Sequence, residues 1–156
     1  MSKNKVISMI GVVIILLLTY YRENLLLEIN ALLNNVQFTR SSSYWFYSFF
    51  EKMSISDLVL WKWGLTVFFS IMITVFTLAS LYFWFGSIEL LKFTSKLYIF
   101  LFSVVTVIAL IGFLFNSFQS IYFLLRKILG VVQSPIPFFI FFLLNYQKEN
   151  NKESTF

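Results

Sequence analysis

The chain has 156 residues, of which 59% are hydrophobic, 21% aromatic and only 12% charged, with 12 Lys and Arg against 7 Asp and Glu for a net charge of +5. A soluble domain is about 45–50% apolar and about a quarter charged, so these charges are too few to cover a globular surface, while the hydrophobicity excludes a disordered chain. With no Cys there is no disulfide framework; with neither Cys nor His the chain lacks thiolate nucleophiles, imidazole bases and the commonest zinc and haem ligands.

The composition therefore defines an integral membrane protein, and cysteine protease, Ser-His-Asp hydrolase and His-ligated metal chemistry are excluded. No catalytic, cofactor-binding or metal site is expected, and the chain is read as a non-enzyme. Its acids are Glu23, Glu28, Glu51, Asp57, Glu89, Glu149 and Glu153. None sits in the middle of an apolar stretch, so the intramembrane carboxylate that marks proton relays is missing.

The first uncharged stretch covers residues 6–21, slightly short of the roughly 20 residues needed to cross a bilayer. Lys5 and Arg22 at its ends can snorkel and extend its reach. A signal peptide would need small residues near the end of its apolar core, and Thr19-Tyr20-Tyr21-Arg22 offers none. An uncleaved span over about 6–22 is expected.

Residues 24–53 form the one sizeable loop. Leu25, Ile29, Leu32 and Val36 recur at helical spacing, with Leu26 and Leu33 widening the stripe and Glu28, Asn30, Asn34, Asn35 and Gln37 elsewhere on the wheel. An amphipathic helix lying on the bilayer is expected there. The aromatic run from Tyr44 and Trp45 to Phe50 reads either as a partner-facing surface or, more simply, as an interfacial anchor.

The second span is expected over about 63–86, long enough for one tilted crossing. Trp61 and Trp63 flank Lys62 at one end, with Tyr82 and Trp84 about 20 residues on, a separation that matches one hydrocarbon thickness. Ser54 followed by Asp57 has the pattern of a capping box and moves the helix start earlier. Thr66, Ser70, Thr74, Thr77 and Ser80 fall on one face of this helix.

The third span, about 97–116, carries Ser103, Thr106, Ala109 and Asn116 on a looser arc. Its far boundary is open: the polar run Asn116-Ser117-Phe118-Gln119-Ser120 either lies in the headgroup region or turns the chain, and the turn is preferred. The two polar stripes read either as a pathway or docking groove for another protein's helix, or as packing faces for each other. Hydroxyls alone make a poor ion pathway, which favours packing.

The fourth span, about 128–147, contains Gly130 and Ser134-Pro135-Ile136-Pro137, and the proline pair predicts a kink near Gln133. Residues 148–156 form a polar tail expected to be disordered. The fold class is thus all-α: a single polytopic membrane domain, residues 1–147, with four transmembrane helices and an interfacial amphipathic helix. Four spans put both termini on one side. Basic residues balance across the two sides, so orientation rests on Lys3 and Lys5, which precede the first span without an acid and favour cytoplasmic termini.

The positive charge is scattered beside apolar spans and no Lys/Arg run exceeds two residues, which excludes a nucleic-acid partner. Membrane lipid is an expected partner, with Arg126-Lys127 suited to anionic headgroups.

Three short segments carry a family resemblance. Tyr20-Tyr21-Arg22-Glu23-Asn24-Leu25 is similar to an aromatic, Arg and acid cluster after the first span of the exosortase F system-associated proteins. Arg126-Lys127 with Gln133-Ser134-Pro135, and the terminal Asn145-Tyr146-Gln147, resemble further features of these small four-span bacterial membrane proteins. Their Tyr-Asp-Pro after the first span is absent, with Leu27-Glu28-Ile29 in that region. The resemblance implies an accessory to an exosortase, the inner-membrane peptidase that processes proteins with a C-terminal sorting signal. Exosortases use Cys and His, so this chain would be the companion.

The residues expected to meet such a partner are Arg22, Glu23, Trp45, Arg126 and Lys127, and those expected in helix packing are Thr66, Ser70, Thr74, Thr77, Ser103, Thr106 and Asn116. A holin-like pore or small transporter subunit is the alternative, disfavoured by the lack of charged pore-lining residues. A membrane enzyme built on Glu28, Glu51 or Asp57 with Arg40 comes third, because no pair of these has a spacing that demands catalysis.

Overall fold

A computed structural model describes residues 2–34, 46–115 and 118–153. Among them the structure is all-helical: α1 (Lys3–Leu33), α2 (Tyr47–Phe50), α3 (Ile55–Phe85), α4 (Ile88–Leu114), α5 (Phe118–Val132) and α6 (Ile136–Glu153). Three of these, α1, α3 and α4, are long and apolar enough to cross a membrane.

Local chemistry sets the helix ends. Ser54 Oγ accepts from the Asp57 backbone N–H at 3.2 Å and donates to Asp57 Oδ2 at 2.6 Å, so Ser54 caps and starts α3, with the Asp57 carboxylate engaging its hydroxyl. Gly86, at φ +62°, stops α3 in the left-handed conformation that a Cβ disfavours, and its N–H bonds Tyr82 O at 2.8 Å. Ser87 Oγ then accepts from Leu90 N at 3.2 Å and opens α4.

Helices α1 and α3 pack antiparallel along their whole length. At one end Ser8 Oγ donates to Ser80 O at 2.8 Å and Gly11 lies directly against the Ser80 hydroxyl. In the middle Ile15 and Ile73, both fully buried, share one core cluster; at the other end Ile29 and Leu58 share a second. Each helix has 31 residues, about 46 Å at 1.5 Å per residue, well beyond the roughly 30 Å of a hydrocarbon core. The excess lies past Arg22 on α1 and before Lys62 on α3.

That excess changes the reading of the first loop. Residues 24–33 do not form a separate interfacial helix; they continue α1 without a break. The stripe of Leu25, Ile29, Leu32 and Leu33 is real, but it meets protein: Phe50 of α2, Leu58, Met53 and Leu65 complete its cluster. The aromatic run divides accordingly, with Phe50 buried and Phe46 and Phe49 exposed, Phe49 lying edge-on to Trp61 at 5.9 Å. Trp45, with the rest of residues 35–45, lies outside the described residues.

The N-terminal half of α4 returns along α3, burying Leu90, Thr94 and Tyr98 beside Leu81, Thr77 and Ile73. Its C-terminal half packs mainly on α5, which begins at Phe118; Asn116 and Ser117, where a turn is expected, lie outside the described residues. The expected fourth span is divided: α5 ends at Val132, residues 133–135 bend, and α6 starts at Ile136. The proline pair explains the break, since each proline removes a helical donor and crowds the preceding turn. α6 packs Phe138, Phe141 and Phe142 on the core and continues to Glu153, so residues 148–153 are helical rather than a disordered tail.

The start of α1, the end of α3 and the middle of α6 meet at one end of the bundle. Lys5 Nζ sits over the Trp84 ring at 5.4 Å, and Trp84 meets Phe142 edge-on at 5.1 Å.

Candidate functional site

The α5–α6 break leaves backbone carbonyls without their helical donors. Pro135 lacks the N–H that would bond Val131 O, and that oxygen instead accepts from Ser134 Oγ at 2.7 Å and Ser134 N at 3.2 Å. Pro137 lacks the N–H that would bond Gln133 O. That oxygen accepts from Arg22 Nη1 of α1 at 3.1 Å. A charged donor thus replaces a missing backbone donor where low dielectric makes an unmade hydrogen bond expensive.

The Gln133 side chain works in the other direction. It is 2% exposed, and its Nε2 donates to Thr66 O at 2.9 Å and to Ser70 Oγ on α3. One residue at the break therefore ties α1, α3 and α5 together. The hydroxyls beneath it satisfy themselves along α3: Thr66 to Lys62 O, Ser70 to Thr66 O and Thr74 to Ser70 O, each at 2.7–2.8 Å.

A cleft of about 120 Å³ opens beside this junction, at the level of Lys62 and Trp63. Its polar groups are Arg22, Glu23, Asn30, Lys62, Thr66 and Gln133, and its apolar wall is made by leucines of α1 and α5 with Gly130. Arg22 Nη2 lies 3.7 Å from Glu23 Oε1; the arginine side chain is 11% exposed and the glutamate 63%. Arg22 is thus drawn into the fold while Glu23 faces outward. The two cations and one acid leave the mouth with a net positive charge.

The expected site residues separate into groups. Arg22 and Glu23 line the cleft, and Lys127 is exposed on α5. Arg126 belongs to α5, but its side chain, like Trp45 and Asn116, lies outside the described residues. Of the packing residues, Ser70, Thr74 and Thr77 are buried and Thr66 partly so. Their stripe, extended by Ser80, packs on α1 through Ser8 and Gly11, on Gln133, and on α4 through Tyr98, whose hydroxyl faces Thr77.

The expectation that the two polar stripes pack on each other does not hold. Ser103 and Thr106 are exposed on the outer side of α4 and bond their own helix at Ile99 O and Phe102 O. The reason is geometric: α4 meets α3 through a face centred on Thr94, between Leu90 and Tyr98, and at roughly 100° per residue Ser103 points about 180° and Thr106 about 120° away from it.

Sequence reasoning assigned Gln133 to a motif but gave it no role, and took Lys62 and Trp63 only as interfacial anchors. A polar amide inside an apolar stretch, four residues before a proline, is the signal that could have exposed the first. Nothing local in the sequence pairs it with Arg22.

Among the described residues Glu28 is the one buried acid, at 4% exposure, in the part of α1 past Arg22. Burial pushes its carboxyl above the ordinary range, partly opposed by a hydrogen bond from the Phe46 backbone. Among the described residues its Oε2 has no hydrogen-bond partner, and no cluster of three or more His, Cys, Asp or Glu is placed to hold a metal ion.

Comparison with known proteins adds no relative: no family model, no curated protein and no solved structure matches the chain.

Proposed function

We propose that this protein is a non-catalytic accessory subunit of the bacterial inner membrane that binds an exosortase-type peptidase through helix packing. In this reading α1, α3 and α4 are three crossings and α5, the break and α6 together make a fourth. The termini face the cytoplasm, and α2 with the first loop lies on the opposite side. Glu23 and Lys127, both exposed, are then the groups that a partner's charged residues would meet, with Arg22 reachable through the cleft, and Trp45 and Arg126 are proposed to join them.

The observation that carries the proposal is the outer face of α4. Only 11% of its most apolar stretch is buried, as on α1, against 39% for α3, and the uncovered surface of α4 includes the hydroxyls of Ser103 and Thr106. Lipid tails gain nothing from hydroxyls, whereas small hydroxylated residues let another membrane helix approach closely and share hydrogen bonds.

The test is co-purification of the tagged chain from its native host in mild detergent. A membrane peptidase with Cys and His in its catalytic centre is the expected companion. A monodisperse chain that captures no membrane protein would defeat the proposal, and dye release from liposomes holding the chain alone would favour a pore.

A further inference from the structure

One face of α3 stays apolar and uncovered along most of its length. Leu60, Trp61, Val67, Phe68, Ile71 and Val75 are all exposed and, at 100° per residue, share about a third of the helix circumference. Lys62 falls on the opposite side of the wheel, so no charge interrupts this arc until Asp57, one turn beyond Leu60 and exposed in the first turn of α3. On this face, therefore, the step from hydrocarbon to water lies between Asp57 and the pair Leu60 and Trp61.

α2 stands at that step. Phe50 is buried with Ile29 of α1 and Leu58 of α3, which pins α2 to both helices. Trp61 meets Phe50 edge-on at 6.3 Å and Phe49 at 5.9 Å. Phe49 itself is exposed, and so is Phe46 one turn earlier. The chain then returns to water at Glu51 and Lys52, both exposed.

The occupant of this surface follows from its chemistry and its continuity. Phe46, Phe49, Leu60 and Trp61 carry no charge, and they prolong the apolar face of a helix long enough to cross a membrane. Aromatic rings favour the border between hydrocarbon and water. An exposed apolar patch at that border is a membrane contact, and with no charge of its own it does not select a headgroup by charge.

We propose that Phe46 and Phe49, with Leu60 and Trp61 of α3, form an apolar foot seated in the headgroup–acyl boundary of the leaflet on this side, whatever the charge of its lipids. Because Phe50 pins α2 to α1 and α3, the foot fixes how far those two helices protrude from the bilayer. It needs membrane residence but no protein partner, so it stands or falls separately from the accessory role.

The chain has no Cys, so single nitroxide labels can be placed at Phe49→Cys, at Leu60→Cys, which leaves α2 untouched, and at Ser56→Cys, exposed one turn beyond Leu60. The experiment is electron paramagnetic resonance of the full chain in vesicles of phosphatidylcholine alone and of equal phosphatidylcholine and phosphatidylglycerol. Collisions are measured with oxygen, which concentrates in hydrocarbon, and with a water-soluble nickel chelate. Labels at positions 49 and 60 should meet oxygen more than nickel, equally in both vesicles, and the order should reverse at position 56. Adding Phe46→Ser to the Phe49→Cys chain should shift its label toward nickel with helix content unchanged.

Labels at positions 49 and 60 as open to nickel as the one at position 56 would overturn the proposal, since α2 would then stand in water. Exclusion of both reagents from position 49 would give the patch to a second copy of the chain. Oxygen access confined to the phosphatidylglycerol vesicles would contradict a contact indifferent to headgroup charge.

Discussion

The Arg22 guanidinium donates to the Gln133 carbonyl across 3.1 Å, and that carbonyl is the one whose helical donor Pro137 removes. A membrane helix can break only where other groups satisfy the freed backbone. Arg22 supplies that group from a helix 111 residues away in sequence, so the break in the last apolar segment and the charge at the end of the first are parts of one device.

Arg22→Ala should therefore destabilise the protein by about 2 kcal/mol, the scale of a hydrogen bond to a charged donor. Pro137→Ala restores an N–H able to reach Gln133 O, so adding it to Arg22→Ala should recover about 1 kcal/mol. Unfolding in SDS, followed by tryptophan fluorescence for the four variants of the cycle, measures that coupling. Additive losses would mean that Arg22 acts on something other than the orphaned carbonyl.

The close approach of α1 and α3 depends on Gly11. A Cβ there would collide with the Ser80 hydroxyl, and Ser80 is 1% exposed, which leaves little room to rotate away. Gly11→Ala should cost about 1–2 kcal/mol through overpacking. Ser80→Ala in the same chain should return most of it. Thermal unfolding of the single and double variants in detergent checks both, and a Gly11→Ala chain as stable as the parent would show that the helices separate without cost.

Glu28 gives the protein a dependence on pH. Because burial raises its carboxyl in the folded state above the unfolded value, the folded chain binds this proton more tightly. Its contribution to stability is full below the ordinary carboxyl range and is lost as pH rises through the raised value. Glu28→Gln should flatten that decline and melt higher than the parent at neutral pH. Melting curves from pH 4 to pH 8 that run parallel for the two chains would contradict this.

The sequence carried the class of fold because composition and charge spacing act locally: the spans expected over about 6–22, 63–86 and 97–116 fall on α1, α3 and α4. Ser54 with Asp57 and the proline pair were equally legible, since capping and helix breaking are decided within a few residues. The role of residues 24–33 was not, because an amphipathic stripe has the same period whether it rests on lipid or on Phe50 and Leu58. Ser103 and Thr106 were misassigned for a related reason: a stripe shows that a helix has a polar face, not which neighbour that face meets. The Arg22–Gln133 contact is a tertiary pairing, and only three-dimensional placement reveals that the arginine ending one span serves the break in another.

The accessory role is tested most directly by photocross-linking in living cells, with a photoreactive amino acid at Thr106 on the uncovered face of α4 and, as a control, at Val13, which is 55% exposed on α1. The account predicts a cross-link from Thr106 to a membrane peptidase of the host and none from Val13. Adducts to lipid alone at both positions, in cells where that peptidase is expressed, would contradict it.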